Sequence, residues 1–317
     1  MPEVLADTLD DFGRTVLEGL SQPQRTLAAR FFYDAHGSAL FEQITVLPEY
    51  YLTRTETQLL DRHAGEIAAG AGLGRPVVEF GAGSASKTPL LLRAAQAPLY
   101  VPIDISGDFL NESMDVLAAA MPGLRIEPVV GDFTKPLALP VLGVPCIGFF
   151  PGSTLGNLDP RGAVDLLRSF RRMLGDEATL VIGLDTRKER TVLEAAYDDA
   201  AGVTAAFNLN ILTRINRELG GTIPIDAFVH SAPWNEDCGR MEMHLKATRD
   251  VRFEVLGRPF TMAAGETIHT ENSHKYTPAE ARLLARAAGW EPVSVWTDAD
   301  NRFAIHLWSA AGAALQP

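Results

Sequence analysis

Gly81-Ala82-Gly83-Ser84-Ala85-Ser86-Lys87-Thr88 follows the apolar run Val77–Phe80 and precedes a helical pattern, and two chemistries suit it. A loop that wraps a phosphate needs glycine where Ser86 stands, and an acid ending a later strand to hold Mg²⁺. A nucleoside site needs the glycine turn and an acid about 20 residues on, ending the next strand, to accept hydrogen bonds from ribose. Asp104 lies 21 residues beyond Gly83. Asp132-Phe133 ends the third strand, where a carboxylate can accept from an adenine amino group while a ring packs on the base. Ser86 mismatches the phosphate loop, and it also stands where a dinucleotide site wants a third glycine. Gly81, Gly83, Asp104, Asp132 and Phe133 therefore fit a lightly phosphorylated or unphosphorylated adenosine, and S-adenosylmethionine is the expected cofactor. Its methionyl carboxylate would lie at the positive end of the helix starting near Ser86, with Lys87 as an added charge. Taken alone, the glycines also suit a plain turn that packs helix on strand.

On the substrate side, Pro151-Gly152-Ser153-Thr154-Leu155-Gly156-Asn157-Leu158 follows the fourth strand. The free backbone at Gly152 and the amide of Asn157 suit an amine or amino-acid nucleophile; otherwise the segment is a turn leading into the next helix. Phe31-Phe32-Tyr33 and Leu47-Pro48-Glu49-Tyr50-Tyr51 gather rings. Such rings fill cores, and their faces also attract a sulfonium or methylated ammonium by about 0.5–2 kcal/mol. In His269-Thr270-Glu271-Asn272-Ser273-His274, an extended backbone puts His269, Glu271 and Ser273 on one face and His274 on the other. No third metal ligand stands beside them, so no metal is expected. Glu271 with Ser273 makes a polar clamp for a ring with two nitrogens.

The elements that carry these residues alternate from residue 76 onward. Strands are expected over Pro76–Phe80, Leu99–Ile105, Arg125–Val130, Pro145–Phe150 and Thr179–Leu184. Helices are expected over Thr88–Ala95, Phe109–Ala120 and Ala163–Leu174, the last with Leu166, Leu167, Phe170 and Leu174 at helical spacing. This is a parallel, doubly wound α/β sheet, whose ligands bind at the carboxyl ends of the strands. After Asp185 the rhythm breaks. A helix is expected over Glu194–Asn216, interrupted at Gly202, then a hairpin of Met241–Ala247 and Val251–Leu256 around Arg249-Asp250. The pattern resumes with Pro278–Ala288, capped by Thr277 and stopped by Gly289, and with strands Pro292–Thr297 and Phe303–Ser309. That ending is the layout of the class I S-adenosylmethionine-dependent methyltransferase fold, a Rossmann-like, seven-stranded sheet with its last strand antiparallel. A methyltransferase domain is expected at 55–187 and 277–317, an inserted substrate-binding domain at 15–54 and 188–276, and an N-terminal segment at 1–14.

Composition narrows the partners. The 317 residues carry 28 Lys and Arg against 40 Asp and Glu, so the net charge is 28 − 40 = −12. With no basic run, nucleic acid is not an expected partner. The acidic start lacks the features of a signal peptide, and the longest near-apolar stretch, around Val141 to Gly152, is too short to span a bilayer. Cys146 and Cys238 have neither metal-ligand nor CxxC spacing, which fits a reduced, cytoplasmic protein. A small-molecule substrate, no membrane partner and a monomer are expected.

FFYDAHGSALFEQITVLPEYYLTRTE, VVEFGAGSASKT, PGSTLGNL, AYDDAAGVTAAFN and HTENSHKY resemble the histidine Nα-methyltransferases of ergothioneine biosynthesis. The resemblance runs from about Arg30 to the closing strands; before Arg30 no useful match is seen. It implies methylation of the α-amine of L-histidine to the trimethyl betaine hercynine, by a class I methyltransferase domain with a separate substrate domain. It implies that Tyr33, Gly81, Lys87, Asp104, Asp132 and Phe133 line the S-adenosylmethionine site. Asn157 and Tyr197 would hold the α-carboxylate, and Tyr50, Glu271 and Ser273 would address the imidazole with Met243 packing against it. Asn272 departs from the apolar residue expected there and should point away from the pocket. A tyrosine hydroxyl, Tyr33 first, or a water would pass the amine proton out. Three rivals stand beside this reading: the same fold acting on another aromatic amino acid or amine, a P-loop-like ATP-binding kinase, and a non-catalytic S-adenosylmethionine-binding protein.

Overall fold

Asp10 accepts from the Gly13 amide at 2.7 Å and so caps helix α1 (Asp11–Leu20), which buries Phe12, Val16 and Leu20. Residues 11–14, expected in a separate leading segment, thus begin this helix. The short strand β1 (Arg25–Thr26) follows, then helix α2 (Ala35–Thr45), capped by Asp34, and helix α3 (Tyr51–Ala71). The computed structural model describes residues 10–135, 137–140 and 143–310. The chain divides into two units, the first Met1–Tyr51 with Lys188–Ser273 and the second Leu52–Arg187 with His274–Pro317. Two of these seams lie three residues from those expected at 54/55 and 276/277.

The second unit continues with β2 (Val77–Phe80), α4 (Thr88–Ala95), β3 (Leu99–Asp104) and α5 (Gly107–Ala120). Its third sheet position holds β4 (Arg125–Ile126) and β5 (Val129–Val130) rather than one strand. Pro128 between them has no N–H to give the ladder, while the Glu127 amide still reaches Tyr100 O at 2.9 Å. Next come β6 (Ile147–Phe150), α6 (Pro160–Leu174) and β7 (Thr179–Asp185). Both β6 and β7 are buried at every position, as strands covered on two faces must be.

The chain then enters the first unit as α7 (Arg190–Tyr197) and α8 (Val203–Leu219). The carboxylate of Asp199 accepts from the amides of Val203 and Thr204 and caps α8, which separates the two helices. Strands β8 (Phe228–Ser231), β9 (Trp234–Asn235), β10 (Arg240–Ala247), β11 (Val251–Val255), β12 (Arg258–Met262) and β13 (Thr267–His274) follow. The expected hairpin of β10 with β11 does not form. β10 lies between β13 and β8 in one sheet, and β11 pairs only with β12. The turn that does form is Leu256-Gly257, where φ is 51° and 71°. Two residues of positive φ suit the two-residue loop joining Val255 to Arg258, so Leu256 leaves the strand.

The second unit closes with helix α9 (Pro278–Ala287), β14 (Glu291–Thr297) and β15 (Phe303–Ser309). Its sheet runs β14-β15-β7-β6-β2-β3-β4, with β5 also on β3. With β4 and β5 sharing one position, the described sheet has the seven positions expected. β15 is antiparallel to both β7 and β14, and the remaining pairings are parallel. From β2 the chain first steps outward to β3 and β4, then returns to the other side of β2 with β6. That reversal opens the crevice where such sheets bind ligands. Behind it Phe80 stacks on Phe170 at 3.6 Å between centroids, and Trp290 Nε1 donates to Leu167 O. Among the described residues no helix is long and apolar enough to cross a membrane.

The start of α9 carries a reciprocal cap: the Glu280 amide donates to Thr277 Oγ1, and the Thr277 amide donates to Glu280 Oε2 at 2.8 Å. Thr277→Ala should cost about 1 kcal/mol and lower the melting temperature by a few degrees. An unchanged melting curve would remove the cap from the account.

Candidate active site

At the carboxyl edge of the second unit's sheet, β2 ends in Gly81, at φ 76°, and a Cβ there would lie 3.4 Å from Phe133 Cε1. Phe133 packs edge-on to Phe150 and Phe80, so the turn and the ring form one wall. Asp104, ending β3, accepts from the Gly83 amide and the Ser106 amide, each at 2.9 Å. Those bonds fix the carboxylate and leave lone pairs for further donors. In Asp132, Oδ1 accepts from the amide and hydroxyl of Thr134, whereas the buried Oδ2 makes no hydrogen bond and faces the Lys135 ammonium at 3.7 Å. A buried acceptor without a hydrogen bond is costly unless a ligand donates to it. The donor requirement of an adenosine thus fits what these two acids have left over.

Lys87 does something the sequence does not announce. Its ammonium bonds the carboxylate of Glu56, which also accepts from the Gly152 amide at 3.0 and 2.9 Å. Glu56 sits on α3 with only 1% of its side chain exposed. A Cβ on Gly183 of β7 would collide with its Oε1. One buried carboxylate therefore fastens the glycine turn after β2 to the loop after β6, and its seat requires a glycine on β7. The Lys87 ammonium, expected beside the cofactor's carboxylate, is here paired with Glu56. The helix that follows starts at Thr88, as expected, with no side chain capping its first turn. The signal for Glu56 was an acid on the stripe Leu52, Thr55, Glu56, Leu59 and Leu60, all buried.

Gly152 has φ 81° and Ser153 φ 59°, so the loop after β6 turns sharply before the 3₁₀ turn Thr154–Asn157. Ser153 Oγ accepts from the Asp185 amide, and Asp185 pairs with Lys275 at 2.7 Å, both side chains fully buried. His274 Nδ1 lies 2.9 Å from Gly156 O. The half-buried Asn157 side chain makes no hydrogen bond to another described residue, so its amide is available.

In the first unit, Tyr33, Tyr50, Tyr197 and Ser273 form a continuous train. Tyr33 meets Phe41 at 5.6 Å, Phe41 meets Tyr50 at 6.3 Å, and Tyr50 meets Tyr197 at 6.4 Å between centroids. Tyr197 Oη and Ser273 Oγ are 2.7 Å apart and buried. Residues expected to serve opposite ends of a substrate thus share one hydroxyl pair. Glu271 is half-buried on β13, two residues before Ser273. Met243 is buried with Met241 and Leu245 on β10, and its carbonyl accepts from Thr270 Oγ1 at 3.0 Å. Asn272 is half-buried, and its Oδ1 is buried without a hydrogen-bond partner.

A model of the family described as "Histidine-specific methyltransferase, SAM-dependent" matches residues 12–310. The chain belongs to that family. It is 41% identical to the histidine N-alpha-methyltransferase of Mycolicibacterium smegmatis over 93% of each chain. It is 37% identical to the enzyme of that name from Mycobacterium tuberculosis, again over 93% of each. Among solved structures, the CcbJ methyltransferase from Streptomyces caelestis is 20% identical, covering 79% of this chain and 89% of that one at a TM-score of 0.46. S-adenosylmethionine dependence comes with the family, and the phosphate-loop kinase reading falls.

Two measurements bear on the geometry. Glu56→Ala leaves the Lys87 ammonium and the Gly152 amide without their acceptor, and should cost roughly 3–5 kcal/mol in denaturant unfolding. Adding Lys87→Met should recover part of that loss; a cost for the single variant under about 1 kcal/mol would contradict the clasp. Glu79 of β2 accepts from Thr88 Oγ1 at 2.8 Å and Tyr100 Oη at 2.5 Å, and complete burial pushes its pKa up to about 8. The native protein then holds a proton that the unfolded chain releases near pH 4.5, so stability falls as pH rises from there through about 8. Glu79→Gln should flatten that slope in unfolding measured across the window, and an unaltered slope would reject the assignment.

Proposed function

We propose that this protein methylates the α-amine of L-histidine successively, to the trimethyl betaine hercynine, within ergothioneine biosynthesis. The observation that carries the reading is the buried Tyr197–Ser273 pair, with the Tyr50 ring against Tyr197 and Glu271 two residues from Ser273. It joins the AYDDAAG and HTENSHKY motifs in one polar, ring-walled set, as recognition of a small amino acid with a polar ring requires. The names of the most similar relatives point to the same substrate.

S-adenosylmethionine, when bound, supplies a methyl group on a sulfonium, an electrophile for an amine. Gly81, Gly83, Asp104, Asp132 and Phe133 would hold its nucleoside, with Asp104 accepting from ribose hydroxyls and Asp132 from the adenine amino group. Asn157 and Tyr197 would bind the substrate's carboxylate. Glu271 would accept from an imidazole N–H, with Tyr50, Ser273 and Met243 around the ring. The work left to the protein is alignment, because reaction wants the amine about 3–3.5 Å from the methyl carbon. An α-amine with a pKa of about 7.7–8.0 is already partly neutral near pH 7, so no strong base is needed. Tyr33, or a water, would carry the proton away. The tyrosine rings would favour the cationic product by about 0.5–2 kcal/mol. A monomer in a reducing cytoplasm completes the reading, and the free thiols of buried Cys146 and exposed Cys238 suit such a compartment.

Incubation with S-adenosylmethionine and each amino acid in turn, read by mass spectrometry, should show one, two and three added methyl groups on histidine alone. Glu271→Ala should raise the KM for histidine about tenfold or more and admit larger aromatic amino acids. Methylation of another amino acid in preference, or unchanged histidine turnover in the variant, would refute the substrate assignment.

A further inference from the structure

Outside the residues used above, the first unit carries a cluster that the methyl-transfer reading leaves idle. On β10, Glu242 and His244 stand two residues apart and therefore on one face. His269 of the neighbouring β13 stacks on His244, with ring centroids 4.6 Å apart and planes at 16°. A carboxylate oxygen of Glu242 and one ring nitrogen of each histidine lie within 4.8 Å of one another. The sequence hides this grouping, because the third ligand comes from a different strand rather than from His274.

We propose that Glu242, His244 and His269 form a binding site for a divalent transition-metal ion of the zinc type. Two imidazoles and one carboxylate are a donor set that such ions take with a fourth position left to water. His244 offers Nε2, 3.0 Å from Glu242 Oε2, and a buried Nδ1 that has no hydrogen-bond partner. His269 Nε2 lies 3.0 Å from the Glu271 carbonyl oxygen; as the donor there it leaves Nδ1 with an open lone pair. That contact is the outer-shell bond that typically fixes a ligating histidine's tautomer. Glu242 is oriented the same way, since Arg240 Nε and Nη2 and Asn235 Nδ2 donate to its Oε1, leaving Oε2 toward His244. The Arg240 charge beside Glu242 works against a second cation, so the site is exchangeable rather than a fold-forming zinc centre. Its position matters: His269 lies two residues before Glu271, so an ion there would stiffen the strand that carries the proposed substrate clamp.

Activity is a poor readout, because free histidine itself binds such metals. The test is cobalt(II) titration of the full chain in a Cys238→Ser background, which removes the exposed thiol. One equivalent should give the visible bands of a tetrahedral site, and zinc(II) should displace it. His244→Gln and His269→Gln should each weaken zinc binding about tenfold or more, by calorimetry on variants whose circular dichroism matches the parent. His36→Gln, which removes an exposed histidine, should leave binding unchanged. Absence of the cobalt spectrum in the parent, or a spectrum that survives both cluster substitutions, would overturn the site.

Discussion

The second unit turns on one buried carboxylate. Glu56 receives the Lys87 ammonium and the Gly152 amide. Those partners belong to the loops after β2 and β6, the two strands that flank the reversal in sheet order. A ligand crevice at such a reversal is only as well defined as the spacing between its two loops. A side chain from α3, with almost no exposure, sets that spacing. Gly183 completes the arrangement by leaving room on β7. The cost of burying the charge is offset by pairing it, and removing either partner alone is worse than never having buried them.

The acids along this edge divide by what the protein asks of them. Glu79 lies inside the sheet, bonded to Thr88 and Tyr100, and tethers α4 and β3 to β2. Asp185 spends its charge on Lys275 at the end of β7. Asp104 is steadied by two backbone amides and keeps lone pairs to spare. Asp132 keeps one buried oxygen without a hydrogen bond, 3.7 Å from the Lys135 ammonium. Glu79 and Asp185 hold the edge in shape, whereas Asp104 and Asp132 keep acceptor capacity to spare. Within the first unit the division is between rings and hydroxyls: Phe41 and Phe207 pack against Tyr33, while Tyr197 and Ser273 bond each other.

Much of the sheet was legible because its strands are short apolar runs between turns and its helices are amphipathic; Thr88–Ala95 matches the expected bounds. The glycine turn and the acids at Asp104 and Asp132 were legible for the same reason, since strand ends locate them. What stayed hidden depends on tertiary pairing. The partner of β11 is set by the two positive φ values at Leu256 and Gly257, and Leu-Gly is a weak turn signal beside Arg-Asp. The Glu56 partner of Lys87 comes from α3, 31 residues earlier, and spacing alone does not announce it. Likewise, Glu242 and His244 stand 25 or more residues from His269, and only the ordering of β10 beside β13 brings them together.

Asp104 and Asp132, at successive strand ends, are proposed to grip an uncharged nucleoside. Calorimetric titration with S-adenosylhomocysteine, which binds without reacting, measures that grip directly. Asp104→Ala and Asp132→Ala should each lose about tenfold or more in affinity, the worth of one or two hydrogen bonds to a charged acceptor, while remaining folded. Parental affinity in both variants would contradict the central claim.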